Sequence, residues 1–217
     1  MVVALVILTL ILFLVIDYLL RRKKKAPQVE TDRPRTLSLS KILNMMPSGV
    51  FLQPAFTWSK ILDSGHLILG IHPLILGLIG KPDNIELCEE GQEIAKGDSV
   101  LKIFKNSRLL RIKSPVQGKI RSINPQISLE NSWENLGHQW LYVIEPVNVS
   151  EEVGNWFVAE KSHFWLNEKY QEIKNFLMQV LPKTQVGATM ADGGDLPVGV
   201  LSQSDKKTWQ EFEKRFL

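Results

Sequence analysis

From Ser48 to Ser150 short apolar runs alternate with Gly, Pro and Asn punctuation, a texture that predicts many short strands rather than helices. The run FLQPAFTWSKIL is expected to form a hairpin. In HLILGIHPLILGLIG, residues 66–71 suit a buried strand, and residues 73–78 a short helix with proline in its first turn. Strands are then expected at 85–87, 100–104, 109–112 and 119–123, separated by turns at Glu90-Gly91, Lys96-Gly97-Asp98, Asn106-Ser107 and Ser114–Gly118. NPQISLENSWEN has the composition of a loop. HQWLYVIEPV closes the series as a strand, with Trp140, Tyr142 and Ile144 on one face and Leu141 and Val143 on the other.

Beyond Ser150 the period lengthens. Apolar residues at 166, 170, 173, 176, 177, 180 and 181 make the stripe of an amphipathic helix. A glycine-rich segment, QVGATMADGGDLPVGVL, separates it from SDKKTWQEFEKRFL, which opens on Ser204 as a candidate cap and aligns Trp209, Phe212 and Phe216 on one face. Both stripes predict packing against each other or against the strands.

The N-terminus changes the picture. Residues 1–20, MVVALVILTLILFLVIDYLL, hold a single charge, Asp17, and RRKKK follows them. About 20 apolar residues span a bilayer core, and a basic flank behind the apolar run, rather than before it, predicts a retained anchor in place of a cleaved signal peptide. Basic flanks stay in the cytoplasm, so the expected topology is single-pass, with residues 2–20 in the membrane, the N-terminus outside and the remainder cytoplasmic. Residues 26–40 are polar with two prolines, as a linker is. The expected division is a 1–25 anchor, a 26–47 linker, a 48–150 β domain and a 151–217 helical extension. Residues 1–25 carry +4 of the chain's net +3, leaving −1 elsewhere, so overall basicity is local and no nucleic-acid partner is expected. One cysteine, Cys88, excludes an internal disulfide and reads as a small core residue. His66, His72, His138 and His163 lack metal spacing, and no metal is expected.

The middle of the chain resembles the glycine cleavage H protein, a relative of lipoyl and biotinyl domains. The residues that carry the resemblance are Phe56-Thr57-Trp58, Gly70-Ile71 leading to Gly77, Glu90-Gly91, Lys96-Gly97-Asp98, Ser114-Pro115-Val116-Gln117-Gly118 and Trp140-Leu141. It implies a mainly β fold, a lipoyl/H-protein-like barrel-sandwich hybrid, for the middle of the chain, to which the apolar patterning on either side adds an N-terminal transmembrane helix and a C-terminal α-helical extension. It also implies a hairpin around Lys105–Arg108 projecting at one end. In that family the lipoyl lysine stands eight residues before the proline of Ser-Pro-Val, which here is Ser107. A hydroxyl cannot form the lipoyl amide, so no cofactor is expected. Lys105, two residues early, is the only substitute for lipoate attachment.

Residues 102–113 carry five basic side chains, Lys102, Lys105, Arg108, Arg111 and Lys113, and no acidic one. They form a candidate docking surface for a protein partner in a membrane complex, or for anionic lipid. Asp192-Gly193-Gly194-Asp195 lacks both phosphate-loop and EF-hand spacing and is expected to be a structured turn. No nucleophile–base or paired-carboxylate arrangement can be assembled, so no catalytic residue and no enzyme activity are expected. The expected function is a membrane-anchored, non-lipoylated H-protein-like module acting as an interaction or assembly subunit on the cytoplasmic face. The alternative is a lipoyl carrier of glycine cleavage modified at Lys105.

Overall fold

Two antiparallel sheets satisfy the alternating pattern. Six strands lie side by side in the order β1 (Phe51–Leu52), β2 (Thr57–Ile61), β3 (Leu67–Ile71), β9 (Trp140–Pro146), β8 (Gly118–Ile123) and β5 (Glu93–Ile94). The second sheet has β6 (Ser99–Lys105) between β4 (Asn84–Leu87) and β7 (Arg108–Lys113), which leaves β7 at an edge. The structure, a computed structural model, describes residues 38–127, 133–181 and 194–217. The predicted anchor at 1–25 lies outside them; among the described residues no helix is long and apolar enough to cross a membrane.

The helix after β3 is α2 (Pro73–Ile79), with Pro73 at its first position and the His72 ring accepting the Leu74 amide at 3.1 Å. All seven of its residues are buried. Such all-round burial explains why this run has no polar face. One piece of the expected linker belongs to the body. Residues 39–42 form α1 (Leu39–Ile42), whose Leu39 and Ile42 pack on α2 at Gly77, where a Cβ would stand 2.5 Å from Leu39. The expected loop before β9 contains a 3-10 turn at Trp133–His138.

The C-terminal extension shares the same core. After the short α3 (Ser150–Val153) comes α4 (Ala159–Val180), which buries Leu166, Tyr170, Ile173, Phe176 and Leu177. A 3-10 turn at Val200–Gln203 leads to α5 (Lys206–Phe216), which buries Trp209, Phe212 and Phe216. Phe176 and Phe216 meet edge to face at 5.7 Å, as the two stripes predicted, although Val180 remains outside at 38% exposure. The cap of α5 is Asp205, not Ser204: the Asp205 carboxylate accepts the Thr208 amide at 2.7 Å, whereas the buried Ser204 hydroxyl donates to the Leu201 carbonyl. With the strands, these helices bury one continuous apolar cluster from Leu39 to Phe216. The boundary drawn at 150 is therefore not a boundary of packing.

Candidate functional site

The hairpin of β6 and β7 closes on Asn106-Ser107, with Lys105 paired across to Arg108. Both turn residues have positive φ, 50° and 60°. That is the backbone of a tight two-residue turn whose twist matches the flanking strands. Asparagine tolerates this conformation through its short polar side chain. Ser107 occupies the exposed apex.

Lys105 is not at the apex, and its amine is engaged. Its Nζ lies 2.9 Å from Asp83 Oδ1, while Asp83 Oδ2 accepts the Asn106 amide at 2.6 Å. The Asp83 carboxyl is held below the usual carboxylate range, first by that amide and then by Lys105. One carboxylate thus fixes both the turn and the nearest lysine.

The hairpin does not project freely, because the C-terminal segment lies along it. The Ser202 carbonyl accepts from Arg108 Nη1 at 3.0 Å and from Asn106 Nδ2 at 3.4 Å. Trp209 donates its indole N–H to the Leu109 carbonyl at 2.8 Å, and Glu213 accepts the Arg111 amide at 3.2 Å and its guanidinium at 3.1 Å. Arg108 also lies over the Trp209 ring, 5.7 Å from its centre.

The spacing explains the match. Four residues along a helix rise about 6 Å, and two residues along a strand about 6.6 Å. Trp209 and Glu213 can therefore meet Leu109 and Arg111 in register. Leu109 and Arg111 turn their backbone groups away from β6, so α5 satisfies the open edge of β7 that would otherwise be left to water or another strand.

The basic patch is consequently different in space from what it is in sequence. Lys102 pairs with Glu86 at 3.1 Å, Lys105 with Asp83, and Arg111 with Glu213, while Arg108 is taken up by Ser202 and Trp209. Lys113 is exposed and makes no ion pair among the described residues. Three carboxylates distant in sequence thus join the five basic residues. The expectation of a free, uniformly positive projection is corrected on that ground. The sequence window gave no sign of Asp83, Ser202 or Glu213; Trp209 was visible only as part of an apolar stripe.

The motif residues build the frame around this hairpin. The Gly97 amide donates to the Ser114 carbonyl at 2.9 Å and the Ser114 amide to the Asp98 carbonyl at 2.7 Å, so the two turns bind each other. At Gly118 a Cβ would stand 2.4 Å from the Glu145 carbonyl oxygen, and at Gly70 it would stand 2.3 Å from the Trp58 indole. Cys88 is half-buried beside this sheet, with its thiol pushed up by burial. Its amide donates to the Tyr142 hydroxyl at 2.9 Å.

Asp195, the described acidic residue of the glycine-rich segment, is a clasp. Its carboxylate accepts the Ser40 amide at 2.8 Å, the Leu196 amide at 2.9 Å and the Tyr170 hydroxyl. Burial pushes this carboxyl up, but the bonds from Ser38, Tyr170 and Ser40 outweigh it and hold it down at about 2. A carboxylate so satisfied is not poised for proton transfer near neutral pH. Asp192 and Gly193 lie outside the described residues.

Two antiparallel sheets, with a two-residue hairpin held at one end by paired glycine turns, define a β domain of the kind that presents a hairpin apex. The family model described as glycine cleavage H-protein matches residues 52–169, and the chain belongs to that family. Relatives include a probable glycine cleavage system H protein of Thermococcus gammatolerans, 28% identical over 118 residues that make up 52% of this chain and 85% of that protein. The glycine cleavage system H protein of Stenotrophomonas maltophilia K279a is 23% identical, covering 50% of this chain and 86% of that protein. The crystal structure of a glycine cleavage system H protein from Mycobacterium marinum aligns at a TM-score of 0.45 with 19% identity, covering 55% of this chain and 97% of that one.

Proposed function

We propose that this member of the H-protein family carries no lipoyl arm and is a non-enzymatic interaction subunit, tethered through residues 1–25 to the cytoplasmic face of a membrane. The observation that carries the reading is the apex: an exposed serine hydroxyl where the family presents a lysine, on a hairpin fastened along β7 by α5. An arm needs a primary amine and freedom to swing. The nearest amine, Lys105 Nζ, is bound to Asp83 one pair below the turn. Its modification would remove the positive charge that Asp83 faces. Carriage at Lys105, which family membership alone suits equally well, has no such local support.

In this reading the partner, a protein of a membrane complex, meets the hairpin and α5 as one composite end. The exposed apex, Lys113 and the outer faces of Lys102 and Arg111 are what the internal pairs leave available. Intact mass of the full chain from a lipoylating host tests the first half: no lipoyl increment is expected. An increment that disappears in Lys105→Ala would establish carriage instead. Fractionation tests the second: the full chain is expected with membranes, and deletion of residues 1–25 is expected to release it. A membrane-free full chain would remove the tether from the proposal.

A further inference from the structure

The outward face of α4 has no cover among the described residues. Phe164 stands there 74% exposed, the most exposed aromatic side chain of the described core-forming elements. It sits in a shallow groove with Phe157, Glu160, Lys161, Trp165 and Glu168. The floor is packed onto the core: Trp165 stacks on Phe157 at 5.1 Å and lies against buried Phe56 at 5.1 Å. Lys161 and Glu168 make no ion pair within the described residues. An aromatic side chain left in water between two unpaired, opposite charges is an arrangement that a second surface would complete.

The order of these residues points to what that surface is. Lys161 and Glu168 lie seven positions apart, about 10.5 Å along the helix, with Phe164 and Trp165 midway between them. We propose that this face pairs with the same face of a second copy of the chain, the two α4 helices running antiparallel about a two-fold axis between Phe164 and Trp165. That operation sets Lys161 of each copy against Glu168 of the other and Phe164 against the Phe164–Trp165 surface, both contacts forming twice. Glu160 falls opposite Lys169, which its own Glu172 already holds at 2.9 Å, so this outer pair is secondary. A parallel arrangement would instead oppose like charges at both positions, so the charge order selects the antiparallel one. A lipid surface fits poorly, because Glu160 and Glu168 flank the aromatic and would face phosphate. The inference uses neither the hairpin nor the predicted anchor, and stands or falls apart from the function proposed above.

Light scattering of the full chain in detergent, resolved by size, tests it. Two copies are expected for the native sequence and one for Phe164→Ser, Lys161→Glu or Glu168→Lys. The double exchange Lys161→Glu/Glu168→Lys is expected to return to two copies, as is an equal mixture of the two single charge variants. These positions are exposed, so each variant keeps the core intact. A single copy for the native chain overturns the proposal. So does a dimer that persists in Phe164→Ser, which would place association elsewhere, or a double exchange that stays single.

Discussion

Replacing Trp209 by alanine tests whether α5 fastens the hairpin or merely rests near it. The side chain is 1% exposed and hydrogen-bonded to the Leu109 carbonyl. Truncating a buried tryptophan costs about 3–5 kcal/mol, and the lost bond to a half-exposed edge carbonyl adds little, because water replaces it. Trp209→Phe keeps one aromatic ring but loses the pyrrole part of the indole with its N–H, and is expected to cost about 1–2 kcal/mol, mostly through the lost packing. Urea titration of the full chain reads these losses. Hydrogen exchange then says where they fall. The Arg111 amide points away from β6 and is held by Glu213 on the same helix, whereas Leu69 lies at 0% exposure in β3. If α5 is a latch, Trp209→Ala speeds Arg111 exchange by about two orders of magnitude, equivalent to about 3 kcal/mol, and more than it speeds Leu69 exchange. Equal acceleration at both amides would refute the reasoning, since the helix would then be part of one cooperative core with no separable hold on β7.

The remaining predictions concern the frame. Burial holds His72 down from its ordinary 6.5 to about 3, so below pH 6.5 the unfolded chain takes up a proton that the folded one refuses. Stability should fall by about 1.4 kcal/mol per pH unit from there, or about 2 kcal/mol by pH 5. This lies above the range where Asp83, Asp195 and Asp205, all held low, lose their contributions on protonation. His72→Asn keeps an acceptor for the Leu74 amide and should flatten the loss between pH 6.5 and 4.5, measured by urea midpoints; an unchanged slope assigns it to another group. Gly70→Ala forces a methyl into the Trp58 indole and should cost about 1–3 kcal/mol, readable as a lowered melting temperature. Asp195→Asn weakens the acceptor shared by Ser40 and Tyr170 and should cost about 1 kcal/mol after solvent screening, with faster exchange of the Ser40 amide.

The strands were legible where short-range chemistry sets them. Alternation marked 100–104 and 109–112, and Lys96-Gly97-Asp98 with Ser114–Gly118 marked turns that each need a particular backbone. Their observed mutual hydrogen bonds explain why the two motifs occur together. The helix Leu39–Ile42 is not legible because four residues show no period, and the α5 cap is ambiguous by one residue because Ser204 and Asp205 are both cap formers. The site was legible only in part. Ser107 at the apex followed from counting along the chain. The fate of the basic residues did not, because Asp83, Glu86 and Glu213 reach them through tertiary packing that no window around residues 102–113 contains.

The Asp195 clasp bears on how the body tolerates being pulled. A load applied along the chain ahead of Ser38 meets α1 first, where Leu39 is buried against Gly77 and the Ser40 amide is held by Asp195, before it can reach any strand of either sheet. The Ser40–Asp195 bond is the polar part of that hold, and it lies outside both sheets.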